Sequence, residues 1–206
     1  MAQFFEIHPE NPQLRLIHRA VDIVRNGGII AYPTDSSYAI ACHLGDKQAL
    51  DTIRRIRQLD DKHNFTLVCK DLSQVSTFTK IGNDAYRLIK ALTPGPFTFL
   101  LEATREVPRR LQHPKKKTIG IRIPNHPVTQ LLVRELDEPL FSSTLILPGA
   151  DEALTDPFEI RAKLEHEVDL IIDAGIIESE QTTIIEISAG GAEIIRQGKG
   201  LAPMLT

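Results

Sequence analysis

Between Leu14 and Val24 the apolar residues Leu14, Ile17, Val21 and Val24 recur at the spacing of one helix face, and Gly27-Gly28 then stops the period. The chain passes at once into GGIIAYPT, a short apolar run closed by Pro33, whose missing N–H ends strand pairing. An amphipathic helix joined by two glycines to a buried strand is the repeating unit of an α/β sheet, and it sets the pattern against which the rest of the chain is read. Asn11-Pro12 offers this first helix an N-cap and a proline at its first position.

The alternation continues. After Asp46, a capping residue, Leu50, Ile53 and Ile56 mark a second helix that carries Arg54, Arg55 and Arg57. FTLVC (65–69) reads as a strand, 82–91 as a helix broken at Pro94-Gly95-Pro96, PFTFLLEA (96–103) as a strand, and TIGIRI (118–123) as a strand closed by Pro124. Residues 127–136 are helical, EPLFSSTLIL (138–147) begins as a strand, and a helix from about Pro157 leads to strands near VDLIID, TTIIEI and AEIIRQ. Helices and strands alternate early and strands dominate late. That order predicts one α/β domain over residues 1–206, built on a mixed twisted sheet with flanking helices.

Composition excludes several classes. The chain is 42% apolar and 25% charged, as a folded globular protein is. Its two cysteines, Cys42 and Cys69, form no CxxC pair and read as reduced thiols packed near strands. MAQFFEIHPE has no basic stretch ahead of an apolar core, and no run approaches the ~20 apolar residues of a membrane span, so a cytoplasmic protein is expected.

The net charge of −3 is unevenly spread. Arg105, Arg109, Arg110, Lys115, Lys116, Lys117 and Arg122 stand against Glu106 alone, while residues 151–169 are acidic. A basic patch on an acidic body points to an anionic partner: nucleotide, RNA or a small carboxylate. A solvated lysine loop is the competing explanation for Lys115–Lys117.

No HExxH, GxSxG, P-loop or dinucleotide fingerprint is present, and no protein-held metal is expected. QGKGLAP, near the end, only superficially resembles a phosphate loop. An anion site could instead be collected from strand and helix ends: Thr34, Ser36 and Tyr38 from the hydroxyl-rich YPTDSSYAIA, then Arg55, Arg57, Lys62, Thr98, Arg122, Ser142, Ser143, Thr144 and Arg196. Arginine forks and hydroxyls in a cavity of lowered dielectric hold phosphates and carboxylates well. Arg55 and Arg57 lie about 200° apart around a helix, so both face one cavity only if the helix ends near Arg57, where Leu59-Asp60-Asp61 breaks the apolar period.

The segments YPTDSSYAIAC, RIRQLDDKHNFTL, TPGPFTFLL, IGIRIPNHPV, EPLFSSTLILPG, TTIIEI and IIRQG stand in an order that resembles the YrdC-like family, closest to its YciO branch, over residues from about 14 to 200. That family contains threonylcarbamoyl-AMP synthases. The resemblance implies a twisted α/β sheet around a concave basic cavity, where threonine, bicarbonate and ATP, with Mg²⁺ accompanying the nucleotide and no tightly bound cofactor, give threonylcarbamoyl-AMP and pyrophosphate for tRNA modification. It also implies an affinity for double-stranded RNA or tRNA, with Arg109, Arg110, Lys115, Lys116 and Lys117 as candidates on the RNA side.

By position, Thr34 and Tyr38 resemble the family's PT-x-x-x-Y/F segment beside the amino-acid pocket, and Arg57 and Lys62 its cations after the second helix. Thr98 resembles its PGP-x-T threonine, Arg122 and His126 its R-x-x-x-H pair, and Arg196 its C-terminal arginine. Two positions depart. Arg55-Ile56-Arg57 stands where synthases carry K-x-R, and Thr144-Leu145-Ile146 where they carry S-x-N, so a hydroxyl is kept and an amide is lost. Three readings follow: a synthase-type enzyme with an altered site, an RNA-binding protein that uses the same basic surface, and a different small-molecule activity in the same cavity.

Overall fold

The computed structural model describes residues 1–60 and 62–205. In chain order the elements are β1 (Gln3–Glu6), α1 (Leu14–Arg25), β2 (Ile30–Pro33), β3 (Tyr38–His43), α2 (Lys47–Arg57), β4 (Thr66–Val68), α3 (Leu72–Phe78), α4 (Asn83–Leu92) and β5 (Phe97–Glu102). There follow β6 (Thr118–Arg122), α5 (Pro127–Leu136), β7 (Leu140–Thr144), α6 (Pro157–Leu164), β8 (Leu170–Asp173), β9 (Thr183–Ser188) and β10 (Gly191–Arg196). All ten strands belong to one mixed sheet, in the order β1-β8-β2-β3-β7-β4-β6-β5-β9-β10. The α/β architecture that the sequence predicts is the one observed.

Local signals account for most boundaries. Asp46 accepts from the Ala49 N–H and starts α2, and Asp156 caps α6 in the same way from Phe158. Gly27 ends α1 at φ +86°, a left-handed conformation that favours glycine. The start of α1 differs from expectation: the helix begins at Leu14, two residues after Pro12, with Gln13 as its cap. Asn11 lies two residues before that cap, in the preceding turn, where its N–H donates to His8 Nδ1 at 3.0 Å. Two elements carry little sequence signal. β1 has four residues, and α3 rests on the Asp71 side chain accepting from Gln74.

The two sheet faces are covered unequally. On one face α2, α3, α4 and α6 bury Leu50, Ile53, Val75, Ile89 and Ile160 against Tyr38, Ile40, Phe99, Ile121 and Phe141. On the other, α1 and α5 bury Ile17, Val21, Val24, Leu132 and Leu136 against Ile30, Tyr32, Ala41, Leu170 and Ile172. Strand residues alternate between faces, so β5 sends Phe97, Phe99 and Leu101 into the first core and turns Thr98 to the second face. β6 does likewise with Ile119 and Ile121 against Gly120 and Arg122. On that second face, among the described residues, the helix-covered core reaches no farther than Val68 of β4, and the residues of β6, β5 and β9 beyond it are mostly polar, with Leu100 and Ile184 as apolar exceptions.

Among the described residues no helix is long and apolar enough to cross a membrane. Cys42 and Cys69 are buried free thiols, and burial pushes the Cys42 thiol up to about 12, which leaves it protonated and unreactive at neutral pH. Phe141 lies on a central strand and meets the Phe65 ring at 5.4 Å between centroids. Phe141→Ala is expected to cost about 3–5 kcal/mol, read as a lower urea midpoint at unchanged slope.

Candidate functional site

The uncovered half-face forms a cavity of about 300 Å³. Its floor is the second-face parity of six strands: Thr66 on β4, Thr98 and Leu100 on β5, Arg122 on β6, Ser142 and Thr144 on β7, Ile184 on β9 and Ala39 on β3. Gly120 lies between the first two of these strands. A Cβ there would stand 2.8 Å from Thr66 Oγ1 and 2.9 Å from the Phe65 carbonyl, so only glycine lets β6 run this close. Arg57, His63, Ser143, Ile146, Thr182 and Arg196 close the sides.

Three guanidiniums converge on the cavity, each held differently. Arg57, the last residue of α2, donates through Nε to Ser143 Oγ at 3.1 Å and through Nη1 to the Ile146 carbonyl, which ties the helix end to the end of β7. Arg196 donates through Nε and Nη2 to the Thr182 carbonyl at 3.3 and 2.9 Å. It reaches this side only because β10 bulges. Ala192 and Ile194 face the first core, and simple alternation would send Arg196 there too. The register shift between Ile194 and Arg196 leaves Ile195 outside and turns Arg196 to the opposite face.

Arg122 is the most enclosed of the three. Its Nη2 donates to Asp35 Oδ1 at 2.5 Å, with both side chains 8% exposed. Asp35 Oδ2 accepts from the Asn125 N–H at 2.7 Å, and the Asp35 carbonyl accepts from Lys199 Nζ at 2.8 Å. Arg122 Nε is buried and has no protein acceptor. Burial lowers the pKa of both Arg57 and Arg196 from the usual arginine range, yet a guanidinium keeps its proton in proteins. No carboxylate lines the cavity among the described residues, so its field is cationic and is relieved by an anion.

Hydroxyls complete the wall. Ser142 Oγ is 2.6 Å from the Tyr32 hydroxyl, whose pKa burial pushes up to about 12, and Thr98 Oγ1 is 2.8 Å from Thr182 Oγ1. The Tyr32 phenol is therefore neutral at any physiological pH. Such a cavity can hold and orient anions and offset charge as it develops. Among the described residues it gathers no cluster of three or more metal-ligating side chains.

Of the residues expected from sequence, Arg57, Thr98, Arg122, Ser142, Ser143, Thr144 and Arg196 are brought together here. Five others, Thr34, Ser36, Tyr38, Arg55 and Lys62, are not. Arg55 belongs to the outer surface: α2 does end at Arg57, but Arg55 still lies within its last turn and donates to Glu167 Oε2 at 2.6 Å. That contact raises its pKa through the hydrogen bond and the charge of Glu167. Tyr38 faces the other core by strand alternation, and its hydroxyl donates to the Gly175 carbonyl at 2.7 Å.

Thr34 spends its hydroxyl on the turn itself. It donates to the Ser37 carbonyl at 2.6 Å and accepts from the Ser36 and Ser37 N–H groups, a hydroxyl-closed turn after a strand. Ser36 is buried in the same turn, and its carbonyl accepts from the Glu180 N–H. Lys62 is exposed, with its N–H on Asp60 Oδ1; Asp61, beside it, lies outside the described residues. His126 caps α5 through Nδ1.

The basic segment is also placed apart. Arg109 and Arg110 sit on a short 3-10 turn, Lys115, Lys116 and Lys117 precede Thr118, and Arg122 closes the other end of β6. Lys116 pairs with Glu186 at 2.6 Å, and Lys117 folds back on the Pro114 carbonyl. The lysine turn and the cavity arginine thus lie a strand's length apart. Sequence reasoning missed Thr66, Thr182, His63 and Lys199. The parity of FTLVC against its buried phenylalanine was the available signal for Thr66, whereas nothing local marks the others.

Asp35→Ala is expected to cost about 3–5 kcal/mol of stability by urea unfolding, because it strands a buried guanidinium. Pairing Asp35→Leu with Arg122→Met should restore most of that loss, and an equal loss in the double variant would show that the ion pair is not what matters.

A family model described as "Telomere recombination", that of the Sua5, YciO and YrdC proteins, matches residues 22–198. The chain is 52% identical over 200 residues to YciO of Escherichia coli K12, covering 97% of each. The crystal structure of Escherichia coli YciO matches it with a TM-score of 0.96 across the whole of both chains. A threonylcarbamoyl-AMP synthase of Coxiella burnetii is 31% identical over 183 residues, 87% of this chain and 96% of that one. The crystal structure of Pyrococcus abyssi (P. abyssi) Sua5 complexed with L-threonine shares the fold at 21% identity, with a TM-score of 0.86 over 95% of this chain and 57% of that one. With that model running through every strand of the sheet except β1, the chain belongs to the Sua5/YciO/YrdC family.

Proposed function

We propose that the protein is a threonylcarbamoyl-AMP synthase-type nucleotidyltransferase that joins L-threonine, bicarbonate and ATP and serves tRNA modification. The observation that carries this reading is the convergence of Arg57, Arg122 and Arg196 on one cavity whose described lining contains no carboxylate. The threonine named in the Sua5 structure and the activity named for the Coxiella relative support it.

In this reaction the carbamate of threonine attacks the α-phosphorus of ATP, its oxygen forms the new P–O bond, and pyrophosphate leaves. Little covalent help is needed from the protein, so positioning and charge carry the catalysis. Arg122, with its plane fixed by Asp35, takes the amino-acid carboxylate through the donors that Asp35 does not use. Arg57 and Arg196, anchored by Ser143 and Thr182, offset charge on the phosphates. Magnesium enters on this reading as the counterion of ATP, since the lining offers hydroxyls and not carboxylates.

Ile146 is the weak point. It lines the cavity with an alkyl group and gives Arg57 only its backbone carbonyl, so one orienting donor is missing and turnover is slow. Pyrophosphate release is expected to require threonine and bicarbonate together. Arg57→Ala should lower kcat/KM by roughly 10²–10³, the loss typical of removing one charge-stabilising donor, and Ile146→Asn should raise kcat about tenfold or more. Release that ignores threonine and bicarbonate, in both the wild type and Ile146→Asn, would overturn the reading.

A further inference from the structure

Six of the seven histidines engage a ring nitrogen with a protein group. His8, His113 and His126 accept from backbone N–H groups in local turns, and His18, His43 and His166 face Glu135, Glu138 and Glu165. His63 is the exception among the described residues. Its ring lies edge-on to Phe65 with centroids 5.6 Å apart, it lines the cavity, and neither nitrogen has a protein partner.

The other ionisable groups of the lining, Arg57, Arg122 and Arg196, keep their protons at neutral pH. Among the described residues the charged groups that act on His63 are Arg57 and Asp60, and the Arg54 guanidinium lies over the Phe65 ring, 5.4 Å from its centroid. Burial first and the Arg57 charge second hold its pKa below the usual histidine value of 6.5, against the opposing pull of Asp60. The imidazole is therefore neutral at pH 7 and has a lone pair free. In the described lining it is the one group equipped to take up a proton.

The synthase reading, on which this inference rests, needs such a group. Threonine arrives as an ammonium, and that nitrogen has no lone pair with which to attack bicarbonate. We infer that His63 is a catalytic residue that accepts the proton of the amino-acid ammonium and so starts carbamate formation. The N–H bond breaks and its proton passes to the imidazole. The freed electron pair then forms the C–N bond to bicarbonate, the C–OH bond breaks, and hydroxide leaves as water with a second proton from the nitrogen. The carbamate keeps one N–H and one negative charge, and the imidazolium returns its proton to solvent.

The test is the pH profile of threonine-dependent pyrophosphate release in wild type and His63→Gln, with matched thermal midpoints as the control for folding. The wild-type rate should fall on the acid side below the ordinary histidine range. The variant should lose about 10²-fold in kcat/KM for threonine at pH 7, and the deficit should shrink toward the amine's own pKa, where solvent removes the proton unaided. Added imidazole should restore part of the rate. No loss, or a loss equal at every pH, would overturn the assignment.

A wild-type chain without threonine-dependent release would instead overturn the synthase reading alone. His63 is then decided by NMR titration of its Cε1 proton with L-threonine and with 3-hydroxybutanoate, the same acid without the amine. A midpoint moved by threonine only supports the contact with an amine, and the same response to both sinks it.

Discussion

Burying the Arg122 guanidinium costs several kcal/mol unless a counter-charge is buried with it, and Asp35 is that counter-charge. The pair joins the turn after β2 to the end of β6, strands that are not neighbours in the sheet. Around it the turn is fastened twice more, by Lys199 on the Asp35 carbonyl and by the Glu180 N–H on the Ser36 carbonyl. Three distant stretches of chain thus meet at one ion pair, and the cavity has a fixed wall. Neutralising Arg122 locally also leaves Arg57 and Arg196 as the uncompensated charge on the described lining.

The cavity itself follows from incomplete coverage. α1 and α5 shield one half of the second sheet face, and the strands beyond them would expose a greasy surface if that parity were apolar. It carries mostly threonine, serine, arginine and glycine instead, with Leu100 and Ile184 as its apolar members. The same alternation that builds the first core therefore builds the site. Each strand serves both, with Phe99 on one side and Thr98 on the other, or Ile121 on one side and Arg122 on the other.

This explains what could be read in advance. Helices with strong apolar periods and caps, such as α2, and strands closed by proline, such as β2 and β6, were legible because their signals are local. Arg122, Thr98 and Ser142 followed from their places within strands. Arg196 could be named from its motif alone, because its orientation depends on a bulge that no alternation rule anticipates. Arg55 and Tyr38 failed for a common reason: a motif gives sequence neighbours, whereas the face on which a side chain emerges is set by the helix turn or the strand parity. The hydroxyls of Thr34 and Ser36 shape the turn that presents Asp35, so that stretch matters through its backbone. His63 carried no local signal at all, since only the fold shows that its ring nitrogens lack partners among the described residues.

The central claim is that this three-arginine cavity, and no other surface of the protein, holds the amino acid and the nucleotide phosphates. A crystal structure of the chain with L-threonine and a non-hydrolysable ATP analogue tests it most directly. The threonine carboxylate is expected on Arg122, and phosphate oxygens within hydrogen-bonding distance of Arg57 and Arg196. Well-ordered nucleotide bound elsewhere, with these three side chains unmoved and untouched, would contradict it.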